Sequence, residues 1–149
     1  MRTIKLRVFH NGKVFGYEEL RADGWYSMCP DLNPDKGERW DRIVMTGDGF
    51  IRVQWTGLTD KNGKDIYEGD ICRRKLNKDK RYDYGFEYSD LWRIEWISAT
   101  AGFTTTCIGD CEGDKFIPKK NISQNSYSQR FSEMDEVIGN IYEHPNLLK

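Results

Sequence analysis

Four short runs of this chain alternate side chains with a period of two, and that period belongs to a strand with one face buried. Ile4, Leu6 and Val8 alternate with Lys5 and Arg7, and Ile51, Val53 and Trp55 with Arg52, Gln54 and Thr56. Tyr82, Tyr84, Phe86 and Tyr88 alternate with Asp83, Gly85, Glu87 and Ser89, and Trp92, Ile94 and Trp96 follow at the same spacing. A helix repeats every 3.6 residues and would scatter these side chains around its circumference. Strands are therefore expected at 3–9, 51–56, 82–88 and 92–96.

Asn11-Gly12 and Asn62-Gly63 are pairs that tolerate positive φ, as a tight hairpin loop demands. Val14 to Leu20 is expected to return beside the first strand. Ile66-Tyr67 and Asp70-Ile71-Cys72 should follow the second turn, with Glu68-Gly69 re-aiming the chain between them. Ile66, Tyr67 and Ile71 are expected in a core, Gly57 and Gly69 where a Cβ would obstruct the conformation, and Gly139 where a strand bends or passes close to a neighbour. Segments 102–108 and 136–142 bring the expectation to roughly seven or eight strands, spaced as in sandwiches and barrels. Segments 123–135 and 144–149 leave room for short helical turns, and 23–49, with Pro30, Pro34 and Gly37, is expected as short pieces and loops.

The expected fold class is mainly β: compact antiparallel β-sheets around a small barrel-like core, with short helical turns. No long amphipathic helical period is present, which excludes a parallel doubly wound sheet. At 149 residues the chain fits one domain, 1–149, burying roughly 70% of its unfolded surface. The two Asn-Gly hairpins suggest sub-lobes 1–50 and 51–149. Five Trp, eight Tyr and seven Phe supply bulky core material although 32% of residues are charged.

The net charge of −1 lacks the positive field of a dedicated nucleic-acid binder. No apolar run in MRTIKLRVFH reads as a secretory signal, no lipidation signal stands at either end, and no stretch approaches the ~18 apolar residues of a membrane span. A cytoplasmic protein with Cys29, Cys72, Cys107 and Cys111 as free thiols is expected, without membrane contact.

The residue types of known active sites are sparse. A nucleophile-and-base site usually draws its base from histidine, and the two histidines here, His10 and His144, are both expected as solvent-exposed turn residues, so a Ser-His-Asp or Cys-His site is poorly supported. Cys107 and Cys111 form a lone C-x3-C without the second pair of a zinc ribbon and are expected as strand or turn residues. In DKNGKD, residues 60–65, Lys64 and the missing closing Glu break the pattern of a calcium loop, and a hairpin turn explains the segment. The 24 carboxylates permit many acid/base pairings and single out none, and no Gly-rich phosphate loop occurs. No catalytic residue, metal or cofactor is expected.

One segment suggests binding. Arg73, Arg74, Lys75, Lys78, Lys80 and Arg81 precede Tyr82, Tyr84 and Tyr88, and basic side chains neutralise phosphates while aromatic faces stack on bases. Against this, alternating aromatics on a strand usually pack into a core, and Asp79, Asp83 and Glu87 dilute the charge.

Three stretches together resemble the YopX family of bacteriophage and prophage proteins. They are MRTIKLRVFHNGK with Gly16-Tyr17, the run from Gln54 through WTGLTDKNGKDIYEGDIC to Cys72, and Glu136 through VIGNIYEHPNLL to Leu148. The middle and last hold many positions in fixed order; 23–49 and 73–90 depart from the pattern. The resemblance implies a mostly β fold and a phage or prophage gene expressed in bacterial cytoplasm, with no enzymatic activity or catalytic residues to transfer. The expectation is a non-enzymatic interaction or regulatory module contacting a host or phage macromolecule. The alternative is a nucleic-acid binder through 73–88, and self-association stays open.

Overall fold

The computed structural model describes residues 3–29, 49–75, 88–112, 115–118, 124–126 and 132–148. Eleven strands within them form two open antiparallel sheets. The first contains β1 (Ile4–His10), β2 (Lys13–Arg21), β3 (Gly24–Met28), β4 (Phe50–Thr59) and β5 (Asp65–Tyr67), in the order β3-β2-β1-β4-β5. The second contains β6 (Asp70–Lys75), β7 (Tyr88–Ile97), β8 (Gly102–Glu112), β9 (Lys115–Pro118), β10 (Gln124–Ser126) and β11 (Asp135–Asn140). Its order is β10-β8-β7-β6-β11, with β9 also pairing β8.

The mainly β, antiparallel fold is as expected, but among the described residues neither sheet closes into a barrel. Strands β3, β9 and β10 are too short to advertise themselves by alternation, and β10 occupies part of a segment expected to turn helically. The 3-10 turn Pro145–Leu148 lies where a helical turn is expected. The chain changes sheet at Glu68-Gly69, and β4 pairs with β1.

Asn11 and Gly12 have φ of 51° and 73°, so the first hairpin is the tight loop the pair predicts. The second turn is built differently. Asn62 keeps ordinary φ, only Gly63 is left-handed, and the Asp60 carboxylate closes the loop. Its Oδ1 accepts the N–H groups of Asn62 (2.8 Å) and Lys64 (2.9 Å), and its Oδ2 accepts the Val137 N–H of β11 (3.0 Å). The turn is thereby tied to the second sheet.

Strand β5 joins two cores. Side chains alternate across a strand, so Tyr67 packs with Phe9 and Val53 while its neighbour Ile66 packs with Cys72, Ile94 and Val137. Ile66, Tyr67 and Ile71 are buried as expected. Gly69 (φ +80°) then reverses the chain beneath Tyr142, whose ring a Cβ would meet at 3.0 Å. Cβ at Gly139 would meet His144 at 2.9 Å, which is the close approach expected there.

Strand β1 departs from its alternation. Ile4, on the expected buried face, is 37% exposed, whereas Arg7 and Phe9 on the other face are 5% and 1% exposed. Arg7 is buried because Asp70, 63 residues away, takes its Nη1 at 2.5 Å and because its guanidinium lies 4.0 Å over the Tyr67 ring. His10 is half-buried, stacked on Phe50 at 4.4 Å, and not the solvent-exposed residue expected. His144 is exposed and accepts the Asn140 N–H through Nδ1. Cys29 and Cys72 are buried free thiols, and Cys107 is buried.

Candidate functional site

Of the basic-aromatic segment, Arg73, Arg74 and Lys75 lie on β6 and Tyr88 opens β7; Lys78, Lys80, Arg81, Tyr82 and Tyr84 lie outside the described residues. Arg74 is 4% exposed. Asp135 grips it at both ends, Nε to Oδ1 at 2.7 Å and Nη2 to Oδ2 at 3.0 Å, and its guanidinium lies 4.8 Å from the Trp92 ring. A phosphate would have to displace Asp135 to reach it. Arg73 shares Glu136 with Lys61, at 3.3 and 2.8 Å. Lys61 foremost, with Arg73, holds the Glu136 carboxyl below its ordinary range against an opposing push from burial. Arg73 and Arg74 therefore enter ion pairs that join β6 to β11.

Two other features of the described surface stand out, both on the first sheet. The first is β3. Among the described residues it pairs only with β2, so it forms an edge of the sheet. All five of its residues, GWYSM, are uncharged, and Trp25, Tyr26 and Met28 are 55%, 39% and 47% exposed. Edge strands usually carry Lys, Pro or inward charge to discourage pairing with another chain, and β3 carries none of these. The register Tyr17↔Met28 and Glu19↔Tyr26 puts Tyr26 and Met28 on one face and Trp25 on the other.

The second is a cleft of about 470 Å³ across the face that carries Met28. Sheet register builds it: Met28 of β3, Tyr17 of β2 and Arg7 of β1 lie in one row, and Lys5 lies in the next row beside Glu19. Lys64, Asp65 and Tyr67 from the second hairpin complete the wall. Lys5 reaches Asp65 at 3.3 Å and lies 4.4 Å over the Trp55 ring. Below Arg7, Asp70 is fully buried and also accepts the Tyr67 N–H at 2.9 Å. Burial pushes the Asp70 carboxyl up, opposed by Arg7, the Tyr67 N–H and Lys64. Burial, with Asp65 next, likewise pushes the Tyr67 phenol up, so Tyr67 presents a neutral ring.

Sequence reasoning missed both features. The only signal for the cleft was a pair of cations alternating on β1, which reads as a solvated face; its acidic partner is distant in sequence.

A family model described as YopX protein matches residues 11–149. No curated protein matches the chain. Among solved structures, the crystal structure of protein EF1440 from Enterococcus faecalis is similar over 98% of this chain and 98% of that one, at 18% identity and a TM-score of 0.46.

Proposed function

The chain belongs to the YopX family, and from that premise we propose a phage- or prophage-encoded accessory protein of bacterial cytoplasm. On this reading it works without catalysis, by receiving an extended segment of a protein partner along β3. The observation that supports it is the uncharged edge, paired on one side only among the described residues, with three exposed large side chains. An added strand satisfies the outward backbone groups of such an edge, and alternate side chains supply specificity. The lack of charge on β3 points to an uncharged, apolar partner strand.

Capture from host lysate by the tagged protein, with and without nuclease and beside a Trp25→Lys/Ser27→Lys variant, tests this. Both positions are exposed, so the variant keeps its fold while charging the edge. The reading predicts a protein partner that survives nuclease and is lost from the variant. Partners that vanish with nuclease would transfer the function to segment 73–88, and equal capture by the variant would move it off β3. Substrate turnover by the purified protein would overturn the non-enzymatic reading.

A further inference from the structure

We propose that the cleft across the first sheet binds a small monocarboxylate with an aromatic or apolar body. The anchor is Arg7. Its side chain is 6% exposed, and because it lines the cleft, that remaining edge faces the cleft. A guanidinium carries five N–H donors. Asp70 takes one of them from below, Nε is itself buried and has no partner among the described residues, and the donors left for the cleft are the remaining Nη hydrogens. The Tyr67 ring beneath holds the guanidinium plane, so a carboxylate oxygen arriving from the cleft meets a fixed, desolvated and under-bonded cation. Charge-assisted hydrogen bonds are strongest in that setting.

The surrounding charges select the ligand. Glu18 is gripped by Arg52 at 2.8 and 3.0 Å, Glu19 by Arg21 at 3.0 Å, and Asp65 by Lys5 at 3.3 Å. Each acid of the cleft therefore has its own cation. Lys64, exposed at the mouth, has no ion pair among the described residues. The balance is one unmatched positive charge, which suits one carboxylate. A polyanion such as a nucleic-acid strand would meet three acids that are already in place. Tyr17 and exposed Met28 offer the apolar wall against which a ring or alkyl body rests, and the volume lies in the ordinary range of small-molecule sites.

Benzoate serves as the probe, titrated into the full chain and followed by two-dimensional NMR that includes the arginine Nε–H signals. The expected result is a saturable shift of the Arg7 Nε–H and of the amides of Tyr17 and Lys64, with benzyl alcohol producing none. Lys64→Glu, in an exposed loop, should weaken benzoate about two- to fivefold, the range of an exposed ion pair. Arg7→Lys, which retains a cation for Asp70, should weaken it about tenfold or more. Should Arg7→Lys not fold, Lys64→Glu decides. Equal binding of benzyl alcohol, no saturable shift at Arg7, or benzoate affinity unchanged by Lys64→Glu would each overturn the proposal. None of these outcomes bears on the β3 edge.

Discussion

Replacing Asp60 by Ala removes one carboxylate that holds three backbone N–H groups, and the three are not equal. The Val137 N–H lies in the buried seam between the second hairpin and β11. Left unmade, a bond of that type costs about 1.5–3 kcal/mol. The Asn62 and Lys64 N–H groups belong to a solvent-exposed turn, where water replaces the lost acceptor, so each costs only about 0.5–1 kcal/mol. Asp60→Ala should therefore destabilise by about 2.5–5 kcal/mol, a large part of the ~5–15 kcal/mol expected of such a domain. Urea unfolding followed by Trp fluorescence reads this as a lower midpoint. Acid supplies a second arm. Burial pushes the Asp60 carboxyl up, but the Val137, Lys64 and Asn62 N–H groups and Lys64's charge outweigh it and hold the group below its ordinary value. A depressed folded-state pKa means that the stabilisation is complete above the ordinary carboxylate range near pH 4 and is lost as pH falls through the folded-state value. The stability gap between the wild type and Asp60→Asn should be flat at neutral pH and shrink below about pH 4. An Asp60→Ala midpoint within about 1 kcal/mol of wild type, or a gap that widens in acid, would refute the assignment.

Arg74→Met should cost about 3–5 kcal/mol by taking the bidentate cation from buried Asp135, and Arg74→Met/Asp135→Leu should recover much of it, since the buried carboxylate goes with its counter-ion; chemical denaturation of the two variants tests this. Gly69→Ala and Gly63→Ala both place Ala at φ near +80°, but only the first meets a neighbour, the Tyr142 ring at 3.0 Å. Gly63→Ala should cost about 1–2 kcal/mol and Gly69→Ala more, and equal thermal shifts would contradict the contact. The Cys72 thiol is pushed up first by burial and then by Asp135, Asp70 and Asp60, so iodoacetamide should label it only on unfolding, as followed by peptide mass.

Local chemistry was legible in the sequence and distant pairing was not. Asn11-Gly12 specified its hairpin because both residues accept positive φ, and Ile66, Tyr67 and Ile71 declared themselves as core because apolar side chains beside a turn have few other places to go. Arg7 read as the solvated side of a strand, and Arg74 as one of a basic run that could meet phosphate. Each is buried only because a carboxylate more than 60 residues away meets it, and no local pattern carries that information. Strand β3 was unreadable for another reason: a five-residue edge with both faces exposed has no inside and outside to alternate. The cleft depends on both blind spots, since it stands on Arg7 and is walled by Met28.

Hydrogen exchange on the chain alone and with its captured partner tests the proposed role of β3 most directly. Strand addition predicts slowed exchange of amides within Gly24–Met28 when the partner is bound, with the β7–β8 ladder unchanged. Protection confined to 73–88, with β3 exchanging as fast as in the free protein, would contradict it.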